Sequence, residues 1–162
     1  MGSNRIAVLD AGPVIHLDQI DSLQLLTVFD DLILPETVHE ELSFGEVPGE
    51  LEQLDCSVAE SEKERTYSGL DSGETAALRV AEEEDDVVFL TDDLEARKKA
   101  KQLNLPVHGS IGVIALNYGQ ERLDFEEAAS LMRQLQNQSQ LFVIDAVIDR
   151  GIQKLDEIQR SE

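Results

Sequence analysis

The stretch IAVLDAGP, residues 6–13, decides the fold expected for this chain. Its first four residues, Ile6 to Leu9, are continuously apolar, which is typical of a parallel strand covered on both faces. Asp10 ends the run, Gly12 permits a tight turn, and Pro13 suits the first position of a helix. An acid therefore follows directly on a strand, at the end of the sheet where open α/β sheets place their ligands. The alternative interpretation is that Asp10 only caps the helix that follows it.

A second run, Val87 to Thr91, repeats this pattern and ends in the pair Asp92-Asp93. We expect a helix over residues 93–103 to follow. Asp92 and Glu95 have the spacing of a capping box, so one acid of the pair could cap this helix while the other faces the edge of the sheet. The pattern leaves open which of the two does which.

Helical periodicity separates Glu41 from its neighbour Glu40. A helix is predicted over residues 35–43, and at about 100° per residue Glu41 lies within about 60° of Val38. Glu40 points nearly the opposite way. We therefore predict that Glu41 shares the apolar Val38–Leu42 face and that Glu40 is solvated.

Glu74 lies on the apolar face of another predicted helix, over residues 73–84. Three apolar residues follow it at plus three, plus four and plus seven, which places them on its side of the helix. A capping box, with Asp71 at the cap and Glu74 three residues later, explains the same residue without any further function. Both interpretations remain open for Glu74.

Carboxylates held against an apolar core cost free energy unless they are paired, protonated or bound to a cation. Several that converge without a basic partner nearby in sequence indicate a hard divalent ion such as Mg²⁺ or Mn²⁺. The candidate acids are Asp10, Glu41, Glu74, Asp92 and Asp93.

The alternation of strand and helix patterns predicts an α/β fold with a central parallel sheet and right-handed crossovers. We expect one domain over residues 1–162, with a core at about 6–120 and C-terminal helices at about 124–158. The other predicted strands cover 31–34, 106–108 and a short piece at 56–58. The other predicted helices cover about 13–28, 111–118, 125–135 and 142–158, with the polar stretch 134–140 linking the last two.

Four segments, in order, carry a resemblance to a known family. They are VLDAGPVIHL near the start, then LPETVHEEL, LDSGETAALRVA and FLTDDLEARKKAKQLNLPVHGSIGVI. Together they look like a PIN domain, and more narrowly they are similar to the VapC-like branch with an L-D-x-G-E and a D-D-x-x-A-R segment. The resemblance spans roughly residues 6–157.

This resemblance implies a Rossmann-like three-layer fold and a Mg²⁺- or Mn²⁺-dependent ribonuclease, with RNA a more fitting substrate than DNA. It would make Asp10, Glu41 and Glu74 the first three catalytic acids, and Asp92 or Asp93 the last. It also implies a toxin-like role with a small antitoxin-like protein partner, and pairing into a homodimer. The rival hypothesis is a PIN-like module that binds nucleic acid or protein without cutting.

The net charge of −21 argues against a nucleic-acid substrate, because phosphate binding needs Lys and Arg and this chain has 13 against 34 Asp and Glu. Several cations nevertheless follow the acidic pair directly. Arg97, Lys98 and Lys101 are therefore candidate phosphate contacts, although an ordinary solvated helix face explains Lys98 and Lys101 slightly better. The acidity otherwise resembles that of proteins from salt-loving organisms.

Other functional classes are less well supported. The single Cys56 and the scattered histidines, including His16, give no zinc-site spacing, and we expect the histidines to be structural. The chain has no phosphate-binding loop, dinucleotide fingerprint or nucleophile elbow. With no run near the roughly 20 apolar residues that span a bilayer and no signal-peptide pattern, we expect a cytoplasmic protein without membrane contact.

Overall fold

The computed structural model describes residues 5–44, 51, 54–61 and 66–160. Five strands form one parallel sheet in the order β3-β2-β1-β4-β5. They are β1 (Ile6–Leu9), β2 (Asp31–Pro35), β3 (Ser57–Ala59), β4 (Val87–Leu90) and β5 (Val107–His108).

Helices flank the sheet and complete the three-layer α/β fold expected from the sequence. None of those in the described part of the chain is both long and apolar enough to cross a membrane. They are α1 (Ala11–Gln19), a 3₁₀ helix (Leu23–Val28), α2 (Glu36–Phe44), α3 (Ser72–Glu83), α4 (Leu94–Gln102), α5 (Ser110–Gly119), α6 (Phe125–Gln138) and α7 (Asp145–Arg160).

Aliphatic side chains dominate the core, as the low aromatic content of 4% requires. Helix α3 packs against β1, β2 and β4, while α5, α6 and α7 pack on one another. Met132 and Leu135 of α6 and Leu155 of α7 are fully buried. The last two helices therefore contribute to the hydrophobic core.

The strand order creates a switch point between β1 and β4. From β1 the chain moves outward through β2 to β3, and then returns to β4 on the other side of β1 and continues to β5. Leu9 and Leu90 pair at the carboxyl ends of these two strands. Open α/β sheets bind ligands in the crevice at such a point.

One predicted helix start is wrong at the N-terminal side. The helices expected around 13–28 are α1 and a 3₁₀ helix, with Asp21 between them in the left-handed region at φ 53°. Helix α1 begins at Ala11, so Pro13 is its third residue instead of its first. Proline fits there because the first N–H groups of a helix have no intrahelical acceptor.

The connection between the last two helices is also displaced from its predicted position. Helix α6 continues to Gln138, whereas a linker was expected over 134–140, and α7 begins at Asp145 instead of residue 142. Glutamine is a good helix former, and the Gln136 side chain bridges to the next element by donating to the Asp145 carboxylate at 2.7 Å. As a consequence Phe142 lies outside both helices.

Candidate metal centre

Asp10 is both a helix cap and a buried acid at the end of β1. Its Oδ1 accepts from the Ala11 N–H at 2.9 Å, and its Oδ2 accepts from the Thr91 hydroxyl at 2.6 Å. Only 5% of the residue is exposed. Burial raises the pKa of Asp10 from 3.8 to about 6, against the two hydrogen bonds, and the charges of Asp71 and Glu41 add to the rise. The rise in pKa caused by desolvation therefore outweighs the lowering caused by the two hydrogen bonds.

A cleft of about 560 Å³ opens at this edge of the sheet, and carboxylates dominate its lining. The described residues that line it include no Lys or Arg, and His16 is their one basic side chain. The acids are Asp10, Glu41, Asp71, Glu74, Asp92 and Asp93. The structure thus places all five sequence-predicted acids around one cleft, together with Asp71.

Glu74 takes part in the capping box and also faces the cleft. Its backbone N–H donates to Asp71 Oδ1 at 2.8 Å, and the Asp71 N–H donates to Glu74 Oε2 at 3.1 Å. Burial raises the pKa of Glu74 from 4.5 to about 7, and the charges of Asp71, Asp93 and Asp10 raise it further despite the Asp71 hydrogen bond. The two interpretations offered for this residue are therefore compatible.

Asp71 is the cleft acid that sequence reasoning assigned only to capping. Its charge raises the pKa of Asp10, Glu41 and Glu74 alike. The capping-box spacing could have identified Asp71 as a cleft acid, because it places the cap side chain beside the first turn of α3, which carries Glu74.

Glu41 and Glu40 point into different cavities, although both residues are exposed. Glu40 lines a separate cavity with Arg79, whereas Glu41 lines the acidic cleft. The Glu41 carboxylate lies against the first turn of α3, where a Cβ added to Gly73 would stand 2.5 Å from Oε2. Partial burial and the Asp71 charge raise the pKa of Glu41. Glu41 is more exposed than its predicted apolar face implies, since the cleft there is open to solvent.

The structure separates the roles of Asp92 and Asp93. Asp93 is the N-cap of α4 and accepts from the Ala96 N–H at 2.8 Å, so the suggested capping box of Asp92 with Glu95 is not formed. Asp92 Oδ1 accepts from the Ser110 N–H at 2.6 Å. Asp92 Oδ2 accepts from the Ser110 hydroxyl at 2.6 Å and contacts His16 Nδ1 at 2.7 Å. Both oxygens of Asp92 are thus engaged, whereas Asp93 raises the pKa of Glu74 through its charge.

The three candidate phosphate contacts on α4 lie outside the cleft lining. Lys98 is exposed and stands 3.5 Å from Glu95, and Lys101 is also exposed. Arg97 is half-buried and lies beside Gly109. Burial lowers the pKa of His108, and the positive charges of Arg97 and Lys154 lower it further. Of the three, Arg97 comes near a cleft acid, because its guanidinium and the Asp92 carboxylate both lie beside Gly109.

The donor chemistry of the cleft fits a hard divalent cation, because carboxylate oxygens are the ligands that Mg²⁺ and Mn²⁺ prefer. In the described part of the chain, no three His, Cys, Asp or Glu side chains are grouped closely enough to hold one ion as they stand. Like charges repel, and Glu74 and Asp93 are partly held by their caps.

Fold, switch-point cleft and acidic lining together define a class of α/β protein that binds its ligand at the carboxyl edge of the sheet. The family model described as PIN domain matches residues 6–157, and the chain belongs to this family. PIN domains are generally nucleases, and PIN nucleases generally use divalent metal ions. Among curated proteins and among solved structures, none matches the chain.

Proposed function

We propose that this protein is a Mg²⁺- or Mn²⁺-dependent endoribonuclease whose centre lies in the acidic cleft. One observation carries the proposal: Asp10 is buried at the switch point, with its pKa raised to about 6, in a cleft lined by six carboxylates. An uncompensated group of acids of this kind is costly for the metal-free fold and is relieved by a divalent cation.

Asp10, Glu74 and Asp93 are the proposed ligands, with Glu41 and Asp71 close enough to influence their charge. We assign the last ligand to Asp93 in preference to Asp92, because Asp92 has three contacts, two from Ser110 and one with His16, whereas the charge of Asp93 acts on Glu74. The Thr91 hydroxyl fixes the orientation of the Asp10 carboxylate. A bound ion would supply Lewis-acid stabilisation of the phosphate charge and a more acidic water.

The cations of α4 have a proposed role along the substrate backbone. Helix α4 begins directly after Asp93, and Arg97 lies one turn later, about 6 Å along the helix axis. We propose that Arg97, with Lys98 and Lys101 behind it, contacts phosphates next to the one that is cut. The choice of RNA over DNA rests on the family resemblance.

Three finer features remain predictions from the same resemblance and from composition. They are the toxin-like role with a small antitoxin-like partner, assembly into a homodimer, and adaptation to high salt. The cleft supports the nuclease proposal independently of these three.

Calorimetric titration of Mn²⁺ tests the proposed site. Wild type should bind Mn²⁺ saturably, Asp10→Asn should not, and Glu41→Gln should bind more weakly. Glu40→Gln is the matched control, because Glu40 is the neighbouring glutamate and faces another cavity. The same set is then assayed for cleavage of a single-stranded RNA.

Two outcomes would count against the proposal. Equal Mn²⁺ binding by wild type and Asp10→Asn would remove the acidic cleft as the metal site. Metal-independent binding of RNA or protein by wild type, with no turnover, would instead favour the non-catalytic module.

A further inference from the structure

Phe142 is an apolar ring held in solvent at the edge of the acidic cleft. It is 90% exposed, more than any other large hydrophobic residue in the described part of the chain. It lines the same cleft as Asp10, together with Leu94, which is 68% exposed. Single exposed apolar residues are common, so exposure alone carries no function. The position of the ring and the support beneath it distinguish it from the others.

Hydrogen bonds hold the connection that carries Phe142 on both sides of the residue. Before it, the Gln140 N–H donates to the Gln19 side chain of α1 at 2.7 Å. After it, the Gln136 amide of α6 donates to the Val143 carbonyl at 3.1 Å and to the Asp145 carboxylate at 2.7 Å. The backbone is therefore fixed at both ends while the ring projects outward. A ring fixed in this way loses little conformational entropy when a ligand covers it.

The charge of the protein limits what the cleft can use for affinity. Counterion release contributes little where carboxylates surround the site and the chain carries a net −21. Stacking of a base on an aromatic ring does not depend on net charge, and every base has a face that can stack. Bases in a duplex are already stacked and paired, so an unpaired base is the one that can use such a ring.

A peptide partner would need several adjoining apolar side chains to cover. Among the described residues, the large apolar side chains in the cleft lining are Leu94, Leu141 and Phe142, and Leu141 is half-buried. The rest of the lining is dominated by the six acids. Ile144 and Val147, which follow in sequence, are 55% and 45% exposed but do not line the cleft. Within the cleft, one projecting ring next to an acidic centre suits one base better than a peptide.

We propose that Phe142 is a stacking platform for an unpaired base of the RNA substrate, next to the phosphate that is cut. The inference rests on the proposed nuclease function and adds to it a residue that orients an unpaired base. Phe142 is a positioning residue in this scheme, since it orients the strand and takes no part in bond cleavage. Substrate affinity then depends on stacking more than on ionic contacts.

Cleavage kinetics of Phe142→Leu test the proposal, because leucine keeps the apolar bulk but lacks an aromatic face. We expect kcat/KM to fall about tenfold or more, which corresponds to the loss of one stacked base. The fall should come from a higher KM, while kcat stays nearly the same. Phe142→Trp should restore KM. The matched control is Val58→Ala, an exposed apolar residue of β3 that does not line the cleft. Annealing the RNA to its complement should abolish the dependence on residue 142.

A fluorescence measurement separates failure of this inference from failure of the proposed function. RNA carrying 2-aminopurine is titrated with the Asp10→Asn variant, with and without Phe142→Leu. Quenching that is lost in Phe142→Leu supports stacking, even if wild type cleaves no RNA. Absence of cleavage would then refute only the nuclease proposal.

Unchanged KM and unchanged quenching in Phe142→Leu, with cleavage intact, would overturn the stacking platform and leave the nuclease standing. A change confined to the oligomeric state, measured by light scattering, would likewise overturn it and assign the ring to a protein interface. Gln136→Ala should reproduce part of the KM effect, since it releases the connection without changing the ring.

Discussion

Asp10 and Asp92 follow neighbouring strands that pair at Leu9 and Leu90, yet their surroundings differ. Asp92 accepts from the Ser110 N–H and hydroxyl and contacts His16, so its charge is well compensated. Asp10 has one hydroxyl and one N–H, and its burial and acidic neighbours raise its pKa to about 6. The difference teaches that position at a strand end does not by itself make an acid functional. Asp10, whose negative charge is poorly compensated, is the candidate ligand, and Asp92, whose charge is compensated by Ser110 and His16, is the structural acid.

The largest expected effect concerns Asp10 alone. Asp10→Asn keeps the shape of the side chain but removes the charge, so cleavage should fall by about 10³-fold or more, equivalent to about 4 kcal/mol of transition-state stabilisation. Single-turnover cleavage of single-stranded RNA in Mn²⁺ measures this, with Glu40→Gln as the control that should behave as wild type. If Asp10→Asn cleaves the RNA within threefold of the wild-type rate, Asp10 is not the functional acid of the two.

A loss of stability is expected at Asp92. Asp92→Ala leaves the Ser110 N–H and the two other contacts of this carboxylate without their partner, which should reduce the free energy of unfolding by about 3 kcal/mol. Asp92→Asn should lose less, because its amide can still accept one hydrogen bond and donate another. Urea unfolding without metal measures both, and the exposed Asp85→Ala serves as the control. An Asp92→Ala protein as stable as wild type would show that this site is not structural.

The stability of the metal-free protein should depend on pH through Asp10. Its folded-state pKa of about 6 lies above its ordinary value of 3.8, so the folded form binds more protons within that window. The free energy of unfolding therefore falls as pH rises through the window, by about 3 kcal/mol from Asp10. Glu74, with its pKa at about 7, extends the fall upward, by less because it is more exposed.

Urea unfolding in EDTA from pH 4 to pH 8 measures this slope. Asp10→Asn should flatten most of it and be more stable than wild type near pH 8, and excess Mn²⁺ should restore the stability of wild type there. A slope in Asp10→Asn equal to that of wild type would mean that Asp10 is ordinarily ionised in the folded state.

Local patterns explain how the sequence led to this cleft. An acid after an apolar strand predicts its place at the sheet edge, and the periodicity of α2 correctly separates the directions of Glu41 and Glu40. The PIN resemblance correctly gives the family and the three-layer fold. The assignment of each acid to metal binding or catalysis stays a prediction.

Contacts between distant residues explain what the sequence did not show. The roles of Asp92 and Asp93 depend on Ser110 and His16, which come from α5 and α1 and cannot be identified from the spacing of Asp92 and Glu95. The exposure of Phe142 likewise depends on where α6 ends and α7 begins, and the Gln19 side chain of α1 helps to fix that connection.

The smallest expected effect is that of salt on Tm, and it should be the same whether Asp10 or Asp92 is substituted. Screening shortens the Debye length from about 10 Å at 0.1 M to about 3 Å at 1 M, which weakens repulsion among the surface acids of a chain with net charge −21. We expect Tm to rise by about 3 °C, roughly 1 kcal/mol, between 0.1 and 2 M KCl. Because this effect comes from the surface, calorimetry of Asp10→Asn and Asp92→Asn should give the same increment as wild type. An increment missing only from Asp10→Asn would locate the salt effect in the cleft, and an unchanged Tm in all three would refute adaptation to high salt.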